Sequence, residues 1–150
     1  MISKEFRKAL EDNKINIDYK LSSDIIQCKR ERIITAYKNE GYSDINETLI
    51  KFLCYFMDRE ILFRNGSESM HFKLIRSLKI TYAVKTIESA FNLKKLIPFG
   101  MLYREHMNLF IDENDRVYAN MDNISMYFGN NPFDALINIL NDNPIERVEI

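Results

Sequence analysis

Hydrophobic side chains recur with two different periods along this chain of 150 residues. Near the N-terminus, Ile2, Phe6 and Leu10 follow one another at four-residue intervals, a spacing typical of one face of an α-helix. Residues 14–21 alternate instead between polar and apolar side chains, which is the period of a strand with one buried face. The pattern therefore predicts a helix followed by a strand at the start of the chain.

Two longer helices are predicted next. Ser22 or Ser23 can cap the first, and Gly41 supplies the left-handed backbone that ends it. Its expected inward positions are Ile26, Ile33 and Tyr37. Asn46 can open the second helix. The apolar side of that helix comprises Leu49, Ile50, Leu53 and Phe56.

The middle of the chain predicts a hairpin and a further helix. Residues 61–63 and 70–74 have strand-like composition and flank Asn65-Gly66, a dipeptide common in tight hairpin turns. Residues 82–91 then return to helical spacing through Val84, Ile87 and Phe91.

The last third carries the clearest pattern. Residues 96–100 are predicted to be extended, and residues 107–112 and 117–122 alternate as two strands of an antiparallel hairpin. Asn131 caps a closing helix that has Pro132 in its first position. Because strands and helices occur in separate runs, we expect a single α+β domain over residues 1–150.

Charge is unevenly distributed although the net charge is only −1. Residues 51–100 carry nine basic and four acidic side chains, whereas residues 101–150 carry three basic and nine acidic ones. Such asymmetry can steer a partner of opposite charge. The N-terminus lacks the features of a signal peptide, and no stretch is apolar for long enough to span a bilayer. We therefore expect a cytoplasmic protein that does not enter the membrane.

The sequence contains no recognisable catalytic or metal-binding pattern. The glycines Gly41, Gly66, Gly100 and Gly129 are too far apart to form a phosphate-binding loop. The two histidines and two cysteines lack the spacing of a zinc site. We therefore expect no cofactor, no bound metal and no enzymatic activity.

Nucleic-acid binding is an alternative suggested by the basic middle segment. Lysines and arginines there alternate with Phe72, Tyr82 and Phe91, which could stack on bases. The sequence pI of about 6.1 is low for a dedicated binder. Direct binding of nucleic acid is therefore not expected.

Four segments of the last third carry a family resemblance: Ile97-Pro98-Phe99-Gly100, Leu109 to Tyr118, Phe128-Gly129 and Asp134 to Leu140. Together they resemble the C-terminal signature of the SUKH superfamily, most closely its third subgroup. The resemblance extends over about residues 33–142, which leaves residues 1–32 as an N-terminal extension. Asp115 stands where the family's hairpin tends to have Gly.

The resemblance implies an α+β fold with a mixed or antiparallel sheet flanked by helices, and a role as a bacterial immunity protein. Such proteins are not enzymes. They bind and neutralise a cognate toxin domain, often a nuclease, from a polymorphic or contact-dependent toxin system. A general peptide- or ligand-binding adaptor of the same fold is the alternative function.

The outer face and turn of the predicted hairpin form the candidate partner-binding surface. It comprises Phe110, Asp112, Glu113, Asp115, Tyr118 and Asp122. Carboxylates can mimic the phosphates that a nuclease holds, and aromatic side chains supply anchoring area. Alternatively, a helix on the second face of the sheet covers Phe110 and Tyr118. An exposed hairpin edge could also support a homodimer.

Overall fold

The computed structural model describes residues 2–149. Its helices are α1 (Lys4–Asp12), α2 (Ser23–Asn39), α3 (Glu47–Phe56), α4 (Leu74–Ser77), α5 (Val84–Phe91) and α6 (Pro132–Leu140). A 3-10 helix, Leu78–Ala83, joins α4 to α5. The strands are β1 (Glu60–Phe63), β2 (Glu68–His71), β3 (Ile97–Leu102), β4 (Met107–Ile111), β5 (Val117–Met121), β6 (Ile124–Gly129) and β7 (Glu146–Glu149).

Within residues 2–149, seven strands form one sheet in the order of the sequence, and every neighbouring pair is antiparallel. Helices interrupt this meander twice, between β2 and β3 and between β6 and β7. The α+β class is confirmed, and the sheet is antiparallel rather than mixed. The β4–β5 hairpin lies inside the sheet because β3 and β6 pair with its outer sides. It therefore has no free edge for a homodimer.

The first face of the sheet carries the main core. Helices α1, α2, α3 and α6 contribute side chains to one continuous apolar cluster with this face. The ring of Phe52 lies at its centre and contacts the rings of Phe56, Phe72, Phe99 and Phe133. Residues from α3, α6 and the sheet are thus fixed against one another by aromatic packing.

The second face is only partly covered. Phe110 of β4 is 0% exposed and packs in a small cluster with Val84 and Leu96. Ile80 and Ile87 of the 3-10 helix and α5 pack against this cluster. The alternative arrangement, in which a helix covers Phe110, is the one observed. On the same face beyond this cover, Tyr118 and Tyr127 are half-buried, whereas Asn120 and Ser125 are buried.

The strand predicted for residues 14–21 is wrong, because these residues form no strand. Ile15 is buried, and the apolar side chains at positions 17, 19 and 21 pack against the main core. The alternation therefore reflects a loop that presents one side to the helices. The guanidinium of Arg59 donates to the carbonyl oxygen of Asn16, so a side chain satisfies that backbone group in place of a strand partner.

The N-terminal end of α2 differs from its prediction in one respect. The Ser22 hydroxyl accepts a hydrogen bond from the Ile25 amide, as predicted for a cap. Ile33 and Tyr37 are buried, but Ile26 is 39% exposed. The first turns of α2 extend past the core, so helical spacing there does not produce burial.

Candidate functional site

The turn between β4 and β5 is closed from within by Asp112. This carboxylate is only 2% exposed. Its Oδ1 accepts hydrogen bonds from the backbone amides of Asn114 and Arg116, at 2.8 and 3.0 Å. Its Oδ2 accepts from Nε of Arg116 at 2.9 Å. Asp112 therefore holds the turn in shape and is not available at the surface.

Asp115 joins the turn to the start of α3. Its carboxylate accepts hydrogen bonds from Nδ2 of Asn46 at 2.7 Å and from Oγ1 of Thr48 at 3.0 Å. Asn46 Nδ2 also donates to the carbonyl oxygen of Asp112. Asn46 opens α3 as predicted, but its side chain makes no capping hydrogen bond. We call Asn46, Thr48 and Asp115 the turn latch.

Glu113 is the exposed carboxylate at the tip of the turn. It lies 3.6 Å from Nζ of Lys95, in the loop between α5 and β3. Both side chains are largely exposed, so this ion pair stabilises the fold by no more than about 1 kcal/mol. Glu113 is therefore free to exchange Lys95 for another cation.

The turn also forms one wall of a cleft of about 1180 Å³, which we call the turn cleft. Residues 40–47 form a second wall, and α5 with residues 93–97 forms the third. Its accessible apolar surface comes from Tyr42, Ile45 and Leu93, which are half-buried. The Tyr42 hydroxyl donates to Oγ1 of Thr81 at 3.4 Å.

Acidic side chains outnumber basic ones around the turn cleft. The acidic residues are Glu40, Asp44, Glu47, Glu88, Glu113 and Asp115. The basic residues are Lys85, Lys94 and Lys95. The cleft is thus negative overall, with its lysines confined to the wall formed by α5 and the loop that follows it.

Tyr118 lies outside the turn cleft, on the second face of the sheet. Its half-buried ring stands 5.3 Å from the ring of Tyr127 on β6. Burial and the nearby Asp112 carboxylate raise the pKa of Tyr118 above the ordinary tyrosine value. The Tyr127 hydroxyl donates to Oδ1 of Asn130. Both phenols therefore stay neutral near pH 7.

The structure separates the six candidate residues. Glu113 and Asp115 line the turn cleft, whereas Tyr118 lies on the sheet face and Asp122 follows the far end of β5. A strand of this length separates the two ends by roughly 17 Å. Phe110 and Asp112 are buried. These six side chains therefore do not form one continuous surface.

Sequence reasoning missed the turn cleft because three separate loops build it. Gly41 and Asn92, both with positive φ angles, mark two of the chain reversals that form its walls. In sequence, Gly41 indicates only where α2 ends. Neither residue indicates which loops meet in space.

A second polar cluster is centred on His71, which is 5% exposed. Its Nδ1 accepts a hydrogen bond from the Lys73 amide at 3.2 Å, so Nε2 carries the proton and donates to Glu105 at 3.0 Å. Glu105 also accepts from Arg76. Burial lowers the pKa of His71 below its ordinary value, although the Glu105 carboxylate opposes this shift.

Residues 2–149 contain neither a cluster of metal-ligating side chains nor a membrane-spanning helix. No group of three or more His, Cys, Asp or Glu side chains in that range is arranged to hold a metal ion. Cys28 is exposed, Cys54 is buried, and both are free thiols. Across the same residues, no helix has the length and apolar character needed to cross a bilayer.

Comparison with known proteins shows a similarity to a protein family. A family model described as SUKH-3 immunity protein matches residues 58–142, which is more than half of the chain. The match runs from just before β1 to just after α6 and includes the two walls of the turn cleft that carry Lys95 and Glu113. Searches of curated proteins and of solved structures returned no match.

Proposed function

Because the chain belongs to the SUKH-3 immunity protein family, we propose that it binds and neutralises a cognate bacterial toxin domain. The family match over residues 58–142 is the observation that carries this proposal. We further propose that the toxin is a nuclease of a polymorphic or contact-dependent system. Inhibition is stoichiometric and occurs in the cytoplasm, where such a toxin would meet nucleic acid.

Carboxylate mimicry of phosphate supports the choice of a nuclease. A nuclease needs a basic surface to hold the phosphate backbone, and an inhibitor with opposite charge gains association rate through electrostatic steering. Glu113 and Asp122 are exposed carboxylates, and Tyr118 is a half-buried aromatic ring beside the Phe110 cluster. We propose that these three side chains contact the toxin directly.

The other three candidates support the proposed surface indirectly. Phe110 fixes β4 against the helical cover, Asp112 closes the turn, and Asp115 fastens it to α3. Their substitution would affect binding through the shape of the hairpin.

The test is co-expression with the toxin domain encoded beside the gene. Wild-type protein should rescue growth and co-elute with the toxin as a complex of defined composition. Nuclease activity titrated with purified protein should reach zero at one equivalent. Absence of both rescue and complex would contradict the proposal, and full protection at a small fraction of one equivalent would contradict stoichiometric inhibition.

The turn cleft also favours a second candidate function, that of a peptide-binding adaptor. Its volume and half-buried apolar floor suit a chain segment from a protein other than a toxin. The same co-expression experiment separates the two functions, because an adaptor would leave the toxin fully active. Binding of nucleic acid remains an alternative that a gel-shift assay at two salt concentrations would test.

A further inference from the structure

We propose that the turn cleft receives a cationic segment of the toxin domain, such as a loop carrying Lys or Arg beside an apolar side chain. This inference rests on the proposed function and names the surface and the chemistry of the contact. It extends the candidate surface to residues 40–47 and to α5 with the loop after it, neither of which belongs to the hairpin.

The size of the cleft favours a protein segment over a small molecule. Small-molecule sites usually occupy about 300–1,000 Å³ and enclose most of the ligand. The turn cleft has a volume of about 1180 Å³ and is open to solvent. Tyr42, Ile45 and Leu93 provide an apolar floor, on which an aliphatic or aromatic side chain from a partner can be buried.

The sign of the charge favours a cationic segment. Glu40 and Asp44 are exposed, and within residues 2–149 their carboxylates make no ion pair. Glu47 is paired with Arg30 outside the cleft. Asp115 is held by the uncharged side chains of Asn46 and Thr48, so it adds to the negative charge of the cleft without contacting the partner itself. An incoming Lys or Arg would therefore find carboxylates that retain most of their charge.

Lys95 competes for the same carboxylate. Its ammonium is 3.6 Å from Oε2 of Glu113 across one end of the cleft. Because the pair is solvent-exposed, a partner cation can displace it at little cost. Removing the charge of Lys95 should consequently strengthen the binding of a cationic segment, whereas it would weaken the binding of an anionic one.

Both walls beside the opening are held in place before binding. The turn latch fixes Asp115 against α3. On the facing wall, Oε2 of Glu88 accepts a hydrogen bond from the Leu96 amide at 2.8 Å. A cleft with pre-ordered walls loses less conformational entropy when a partner enters.

The experiment measures the affinity of the full-length protein for the purified toxin domain. Asp44→Lys combined with Glu113→Lys should weaken binding about tenfold or more, since each reversal replaces an attraction by a repulsion. Lys95→Gln should strengthen binding several-fold. Glu5→Lys combined with Glu11→Lys is the charge-matched control, because both residues are exposed on α1 and lie outside the cleft lining.

The outcomes distinguish this inference from the proposed function. If the wild-type protein forms no complex with the toxin, the proposed function fails. If a complex forms and Asp44→Lys/Glu113→Lys binds as tightly as Glu5→Lys/Glu11→Lys, the cleft inference fails alone. Weaker binding by Lys95→Gln would also overturn it, because that result indicates an anionic occupant. Thermal unfolding of each variant verifies that the fold is retained.

Discussion

Asp115 illustrates how one residue can replace the glycine of a family motif. Its φ angle of 69° lies in the left-handed region, which costs most side chains about 1–2 kcal/mol. Asp and Asn tolerate this region better than other non-glycine residues. The cost is offset here because the carboxylate accepts two hydrogen bonds from the start of α3. In this chain the Asp115 side chain therefore joins the turn to α3. A glycine at this position has no side chain that could make the contact.

We predict that Asp115→Ala lowers the free energy of unfolding by about 1–3 kcal/mol, because it removes both acceptors and keeps the strained φ angle. Asp115→Gly should cost less than Asp115→Ala, since glycine adopts the positive φ angle without strain. Asp115→Asn should cost least, because its amide oxygen can still accept one hydrogen bond. Urea unfolding curves provide the measurement. If all three variants are as stable as the wild type, the turn latch contributes nothing to stability.

His71 makes the stability of the fold depend on pH. Burial lowers the pKa of His71 below the value of 6.5 that applies when the side chain is exposed. The unfolded chain therefore binds a proton at a higher pH than the folded chain does. The stability from neutral His71 is fully present above pH 6.5 and is lost as the pH falls through the lowered pKa of the folded state.

We predict that the free energy of unfolding decreases between pH 7 and pH 5, by no more than about 1.4 kcal/mol per pH unit from this one residue. His71→Asn should flatten this part of the profile, because Asn offers an oxygen near the Nδ1 position and does not titrate. Chemical unfolding at several pH values gives the comparison. An unchanged slope in the variant would assign the pH dependence to other groups.

At the level of whole elements, local chemistry predicted α1, α2, α3, α5, α6 and the β1–β2 and β4–β5 hairpins, but it predicted neither β6 nor β7. The Ser22 and Asn131 caps and the turn at Asn65-Gly66 depend on interactions within a few residues. The false strand at residues 14–21 shows where such reasoning stops. An extended segment with one apolar side looks the same in sequence whether it pairs with a strand or lies on helices. Only the position of the other elements decides between them.

The site was predicted less completely for the same reason. The turn residues Glu113 and Asp115 could be found because they occupy one hairpin. The burial of Phe110 depends on α5, which joins the sheet through contacts that no periodicity reveals. Tyr42 and Lys94 meet the turn only through the folded arrangement of three loops.

Gly129 explains why a glycine precedes the closing helix. A Cβ atom built at this position would lie 2.8 Å from the backbone nitrogen of Ala135 in α6. Neither β6 nor α6 could avoid that contact without moving backbone. Gly66 is a useful contrast, because a Cβ there meets nothing within 4 Å and only its φ angle of 82° is unfavourable.

We therefore predict that Gly129→Ala lowers the free energy of unfolding by about 1–3 kcal/mol, the range for overpacking, and shifts the amide NMR signals of the first turns of α6. Gly66→Ala should also destabilise the protein through its backbone, but its signal changes should stay within the β1–β2 hairpin. If the α6 signals of Gly129→Ala match the wild type, the close approach of helix and strand is not the reason for the glycine.

Over the whole molecule, the charges that are segregated in sequence are brought together in space. Arg64, Arg76 and Lys95 of the basic middle segment pair with Asp142, Glu105 and Glu113 of the acidic last third. The antiparallel meander places these segments side by side. The uneven distribution of charge along the sequence therefore produces surfaces on which both signs of charge occur. The turn cleft is negative because residues 40–47 contribute further carboxylates.

The main core also includes elements that precede the family match. Phe6 and Leu10 of α1 are almost completely buried. The ring of Phe6 packs edge-on against Phe56 of α3 and Phe133 of α6, with centroid distances of 5.9 and 5.2 Å. Helix α1 is thus built into the core between α3 and α6. We propose that residues 4–140 fold as one cooperative unit, although the first part resembled an extension in sequence.

This proposal predicts that Phe6→Ala with Leu10→Ala unfolds the whole protein at moderate temperature. Truncating a buried Phe or Leu to Ala costs about 2–5 kcal/mol, and the two together approach the entire stability of a typical domain, about 5–15 kcal/mol. Lys4→Ala with Glu11→Ala is the control, since both side chains are exposed on the same helix. The far-UV circular dichroism signal and the protection against the toxin should decline together in the core variant. Both should stay near wild-type values in the control. A core variant that lost only the α1 signal, with the sheet intact and the toxin still neutralised, would instead show that α1 is a separable extension.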